Sequence, residues 1–121
     1  MLDQAIQLQK RTKEFAIAVI RFIRTLPNSD ESKILGKQLM RSATSVAANY
    51  RAVCRARSRA EFMAKPGIVV EEADETVFWL EMMTEAGAIT SNDLPRLLTE
   101  ANEILRIFSA SLSTAKSRKI K

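Results

Sequence analysis

The chain has 121 residues, 46% of them hydrophobic, with three glycines, three prolines, one cysteine and no histidine. That length suits one domain with a real core and is too short for a second. The missing histidine removes the usual general base near neutral pH and the commonest metal ligand, and the lone Cys54 excludes an internal disulfide, as fits a reducing cytosol.

The formal charge is +5 and the pI about 9.7, which permits a polyanionic partner without requiring one. MLDQAIQLQKRTKEF interrupts its apolar residues with charges and so does not read as a signal peptide. No run of about 18 apolar residues is present to span a bilayer. The expectation is a cytoplasmic protein with no membrane partner.

Apolar residues recur at helical spacing in four segments, and nothing alternates as a half-buried strand would. The first runs over about 3–26 and buries Ile6, Phe15, Val19, Phe22 and Ile23, ending before Pro27. Asn28, Ser29 and Asp30 are all candidate N-caps for the second, and Asn28 with Glu31 has the spacing of a capping box. That second helix covers about 31–56, with Leu35, Leu39, Val46, Tyr50 and Val53 on one face. Its small residues Ser42, Ala43, Ser45, Ala47 and Ala48 admit a close neighbour.

A second capping box, Ser58 to Glu61, opens the third segment, about 58–86, which carries Ile68, Val69, Val77, Phe78, Trp79, Leu80 and Met83. Pro66-Gly67 predicts a kink there, or a helix that starts properly only after Gly67. Gly87 reads as the C-cap residue. Ser91 or Asn92 caps the fourth helix, about 92–114, with Pro95 tolerated in its first turn. Residues 116–121 form a basic, frayed tail after a domain over 1–115. Short connections make successive helices antiparallel neighbours, so the fold class is all-α, an up-down-up-down four-helix bundle.

Charge is divided between the two central helices. At 100° per residue Lys37, Arg41, Arg51, Arg55 and Arg59 fall on one stripe, Arg59 only if the helix continues through the corner. Arg57 projects towards the apolar face, so either the helix has ended or Arg57 reaches a carboxylate. The third helix carries Glu61, Glu71, Glu72, Asp74, Glu75, Glu81 and Glu85 against one Lys65. Such a pair of helices suits salt bridging, within the chain or between subunits, and equally leaves cations for an anionic ligand. Arg57, Glu72 and Glu75 are the structural ion-pair candidates. Lys37, Arg41, Arg51, Arg55 and Arg59, assisted by Lys116, Arg118, Lys119 and Lys121, are the candidates for contacts to RNA or DNA phosphates.

No catalytic constellation accompanies these charges. Without histidine the carboxylates cannot complete a Glu-x-x-His di-iron motif, and no nucleophile, phosphate loop or cofactor signature is present. The expectation is a non-enzymatic protein with no metal and no cofactor. Cys54, set among basic residues, reads as a packing residue and Trp79 as core or subunit contact.

The run GKQLMRSATSVAANYRAVCRARSRAEFMAKPGIVVEEADETVFWLEMM closely resembles the bacterial four-helix-bundle proteins encoded in intervening sequences of large-subunit rRNA genes. Gln38-Leu39, Arg41-Ser42, Ser45, Asn49, Ser58, Phe62, Glu72 and Trp79-Leu80 carry the likeness, strongly over Leu26 to about Ile89 and by pattern in the outer helices. The resemblance implies a homopentameric ring. It also implies distant kinship with the accessory variability determinant of diversity-generating retroelements, a basic pentamer that associates with a reverse transcriptase and nucleic acid. It offers no catalytic residues. Two positions depart from the pattern: Arg51-Ala52 stands where Glu-Gly is common, and Pro66 where Leu is usual. Two functions follow as expectations. One is a homo-oligomer binding RNA or DNA non-specifically, with a nucleic-acid-processing protein as a further partner. The other is a protein-interaction scaffold whose arginines are taken up by carboxylates.

Overall fold

Four α-helices follow one another along the chain: α1 (Leu2–Ile23), α2 (Asp30–Cys54), α3 (Arg59–Ala86) and α4 (Asp93–Ile120). The computed structural model describes residues 2–87 and 89–120, with side chains at 3–58, 60, 65–87 and 89–112. Each helix packs on its neighbours in sequence, and α1 meets α4 to close the square, so the bundle is antiparallel throughout.

The helix ends follow local chemistry. α1 stops at Ile23, three residues short of the expected boundary, because Thr25 and Leu26 donate to the carbonyls of Phe22 and Ile23 in a tightened last turn ahead of Pro27. The cap of α2 is Ser29, whose hydroxyl accepts the Ser32 N–H at 3.2 Å, so the Asn28–Glu31 box is not the one used. α2 ends at Cys54, and the Arg55 N–H folds back onto the carbonyls of Arg51 and Ala52. α3 begins at Arg59 and stays helical through Pro66, where the expected late start after Gly67 does not occur. Gly87, with φ of 68°, takes the left-handed turn that closes α3 without the Cβ clash other residues meet there. The Ser91 hydroxyl accepts the Asp93 N–H at the start of α4, which extends to Ile120, past the expected limit near 114.

Phe15, Val19 and Phe22 of α1 meet Leu39, Ala43 and Val46 of α2, Val69, Val77, Leu80 and Met83 of α3, and Leu97, Ile104 and Phe108 of α4 in one continuous core. Leu39 and Leu80 have no exposed surface, and truncating either to alanine costs about 2–5 kcal/mol. Tyr50 tilts onto Phe108 with ring centroids 4.9 Å apart. Burial pushes its phenol pKa upward, helped by a hydrogen bond with Cys54 one turn on. Ile6, expected inside, is exposed, and so are Ile68 and Phe78 among the apolar residues of α3.

Candidate functional site

Two seams of the bundle are built on one plan. On the first, Arg41 of α2 reaches across to α3, with Nη1 donating to Glu72 Oε2 at 3.2 Å and Nη2 to Glu75, while its Nε donates to Gln38. On the second, Arg11 of α1 reaches α4. Its Nε and Nη2 donate to the two Glu100 oxygens at 2.8 and 2.7 Å, and Nη2 lies 2.8 Å from Glu103 Oε1. Glutamates three apart on one helix face bracket a single guanidinium in both cases, a geometry that the planar five-donor fork of arginine fills and lysine does not.

The electrostatic consequences are local. Hydrogen bonds to Glu100 and then Glu103 raise the Arg11 pKa further above its already high value. Arg11 in turn holds the Glu103 carboxyl below the ordinary glutamate range, by its hydrogen bond first and its charge second. All these side chains keep contact with water, so the pairs of Arg11 with Glu100 and of Arg41 with Glu72 and Glu75 are each worth only about 0.2–1 kcal/mol. Their arrangement fixes register more than it adds stability.

The second seam was not singled out from the sequence, although a signal for it exists. Glu72-Ala-Asp-Glu75 on α3 is matched by Glu100-Ala-Asn-Glu103 on α4, and Arg41-Ser42 on α2 by Arg11-Thr12 on α1. The intervening alanines, Ala73 and Ala101, are buried, as are the hydroxyl residues Ser42 and Thr12. The seams differ behind this frame. On α2–α3 the Thr76 hydroxyl lies 3.0 Å from Ser42 Oγ in a buried pair that knits the helices, whereas Thr12 bonds only to carbonyls of its own helix, those of Leu8 and Gln9.

The remaining cations have a different placement. Lys37 and Arg51 stand exposed on the outside of α2, and Arg55 and Arg57 are exposed in the turn between α2 and α3. Among the described residues none of the four has a carboxylate within ion-pairing distance. Because α2 ends at Cys54, Arg57 leaves the helical projection and reaches no described carboxylate. The Arg59, Lys116, Arg118 and Lys119 side chains and the whole of Lys121 lie outside the described residues. On α3, Glu71, Asp74, Glu81 and Glu85 are exposed and unpaired among the described residues.

Large apolar side chains share this outer surface. Ile68 (40% exposed), Phe78 (48%) and Met82 (41%) line the outside of α3, and Ile34 and Met40 stand exposed on α2. Phe78 packs edge-on against Trp79 at 4.9 Å, and the Trp79 Nε1–H is buried with no acceptor among the described residues. Among the described residues no group of three metal-ligating side chains converges, and no helix is long and apolar enough to cross a membrane.

No curated protein matches the chain. Among solved structures it is similar to a protein of unknown function from the S23 ribosomal protein family of Bacteroides thetaiotaomicron. The two are 29% identical with a TM-score of 0.79, covering 90% of this chain and 97% of the other. The model of the 23S rRNA-intervening sequence proteins matches residues 4–110, all four helices and both arginine-bridged seams included. With fold and sequence in agreement over nearly the whole length, the chain belongs to the 23S rRNA-intervening sequence protein family.

Proposed function

We propose that this protein is a non-catalytic scaffold that assembles with copies of itself through the outer α2–α3 face. The carrying observation is the exposure of Ile68, Phe78 and Met82 along a helix whose opposite side already fills the core. Large apolar side chains gathered on an outer helix face mark a surface suited to a partner. The charges beside this stripe suggest what covers it. Lys37 and Arg51 on α2 with Arg55 just past its end, and Glu71, Asp74, Glu81 and Glu85 on α3, are opposite in sign and unpaired among the described residues. The α2 side of one copy therefore complements the α3 side of the next, with Phe78 and Met82 set against the short side chains of Thr44 and Ala48. Contact between two different patches is head-to-tail, and such contacts close into rings when the rotation allows. The five-subunit ring implied by the family resemblance is one such closed form.

Arg41 supports the same reading, since Glu72 and Glu75 already hold it and it is not left free for phosphate. A second reading, non-specific binding of RNA or DNA, rests on the exposure of Lys37, Arg51 and Arg55. Light scattering tests the first. The parent is expected at a multiple of 13.6 kDa, and a Phe78→Ser, Met82→Ser double variant at one chain's mass with its helical circular dichroism unchanged. A parent that stays a single chain at micromolar concentration overturns it.

A further inference from the structure

A groove of about 600 Å³ lies on the far side of the bundle, between the C-terminal half of α1 and the first turns of α4. Its origin is visible in the residues that meet there. Phe15, Phe22 and Leu97 are turned into the core and present only their outer edges as a floor. Above them α1 contributes Ala18, too small to fill the seam. α1 and α4 consequently make the slightest of the four helix contacts. The volume falls within the range of about 300–1,000 Å³ over which clefts take small molecules.

The charges along the groove are polarised. At its upper end stand Arg21 and Arg96, one from each helix. Arg21 has no ion pair among the described residues, and Arg96 is held at 2.7 Å only by Asp93 of its own helix, which leaves most of its donors free. At the lower end Glu100 and Glu103 bracket Arg11 and outweigh its charge, and Glu14 stands beside them, 3.8 Å from Lys10. An anionic group is attracted to one end and repelled from the other. We infer that this groove binds a small organic anion, a carboxylate with a compact apolar body, its charge between Arg21 and Arg96 and its body on Phe15, Phe22 and Leu97. The seven-step rise from Glu14 to Arg21 sets the length of that body at about 10 Å, at about 1.5 Å per step. This site is on the opposite face from the proposed self-association surface and stands independently of it.

Octanoate is the probe, with octylammonium and inorganic phosphate as controls, in calorimetric titration of the full chain and hydrogen–deuterium exchange read by mass spectrometry. Saturable octanoate binding that slows exchange in α1 around 15–23 and at the start of α4 is the expected result. Arg21→Glu is expected to weaken it at least tenfold. Ala18→Leu, which plugs the seam, should abolish it with helicity unchanged, and Arg21→Gln gives a milder loss should either variant misfold. Octylammonium binding as well as octanoate, phosphate alone saturating the same segments, or protection elsewhere overturns the inference. So does an unchanged affinity in Arg21→Glu. Dissociation of an assembled form by Arg21→Glu would instead assign the groove to a subunit contact.

Discussion

Arg11 shows how one side chain sets a pH response. Glu103 has a lowered pKa in the folded chain, so the unfolded chain binds more protons as the pH falls, and folding is penalised. The sign is that of a carboxylate: its contribution is complete above the ordinary glutamate pKa and is lost as the pH falls through and below it. Arg11 is shifted upward, so its own contribution persists throughout that range. The expected outcome is that Arg11→Gln flattens the loss of stability between about pH 6 and about pH 3, measured as urea midpoints at each pH. A slope equal to that of the parent would remove this pair from the acid response. None of these partners was evident from local reading, because Arg11 and Glu100 are 89 residues apart and only tertiary packing joins them.

Among the helices, α3 departs furthest from expectation. Its existence was legible from its apolar spacing and from Gly87, as α2 was from the Ser and Asp residues ahead of it. The outward placement of Ile68 and Phe78 was not legible, since acidic and apolar residues interleave around α3 and leave no single face to choose. Pro66 predicts a kink or a start only after Gly67, yet α3 is helical from Arg59 through it, with Val69, Ala73, Thr76 and Leu80 buried in the core beyond. The missing N–H and the ring clash still cost up to about 3 kcal/mol. Pro66→Ala is therefore expected to raise stability by about 1–3 kcal/mol in chemical denaturation. An unchanged or lower midpoint would mean that the helix gains nothing by regularising.

Over the whole molecule, the +5 charge is unevenly spent. Arg11 and Arg41 are engaged inside the chain, while Lys37, Arg51 and Arg55 face outwards. If those three hold the next copy, replacing Arg51 and Arg55 by alanine lowers the assembly mass and leaves whatever assembly remains less sensitive to salt. If they hold nucleic acid, the same variant stays assembled, and anisotropy of a labelled structured RNA shows weaker binding with a shallower salt slope. One variant and two readouts separate the two functions. The division of basic and acidic helices was plain in the amino-acid order, but which cations were left unpaired depended on where α2 stops and how α3 rotates.

The slight contact between α1 and α4 also bears on how the chain acquires its shape. Three of the four packing surfaces join helices adjacent in sequence, so most contacts form over short loops and the topology favours rapid folding. The α1–α4 closure joins the two ends of the chain and must bear the largest loop entropy for the slightest contact. Arg11, clasping Glu100 and Glu103 across that gap, is a latch on the joint that forms last and opens first. Hydrogen exchange is then expected to be fastest along this one seam, while Phe15, Val19 and Phe22 keep α1 in the core beside α2.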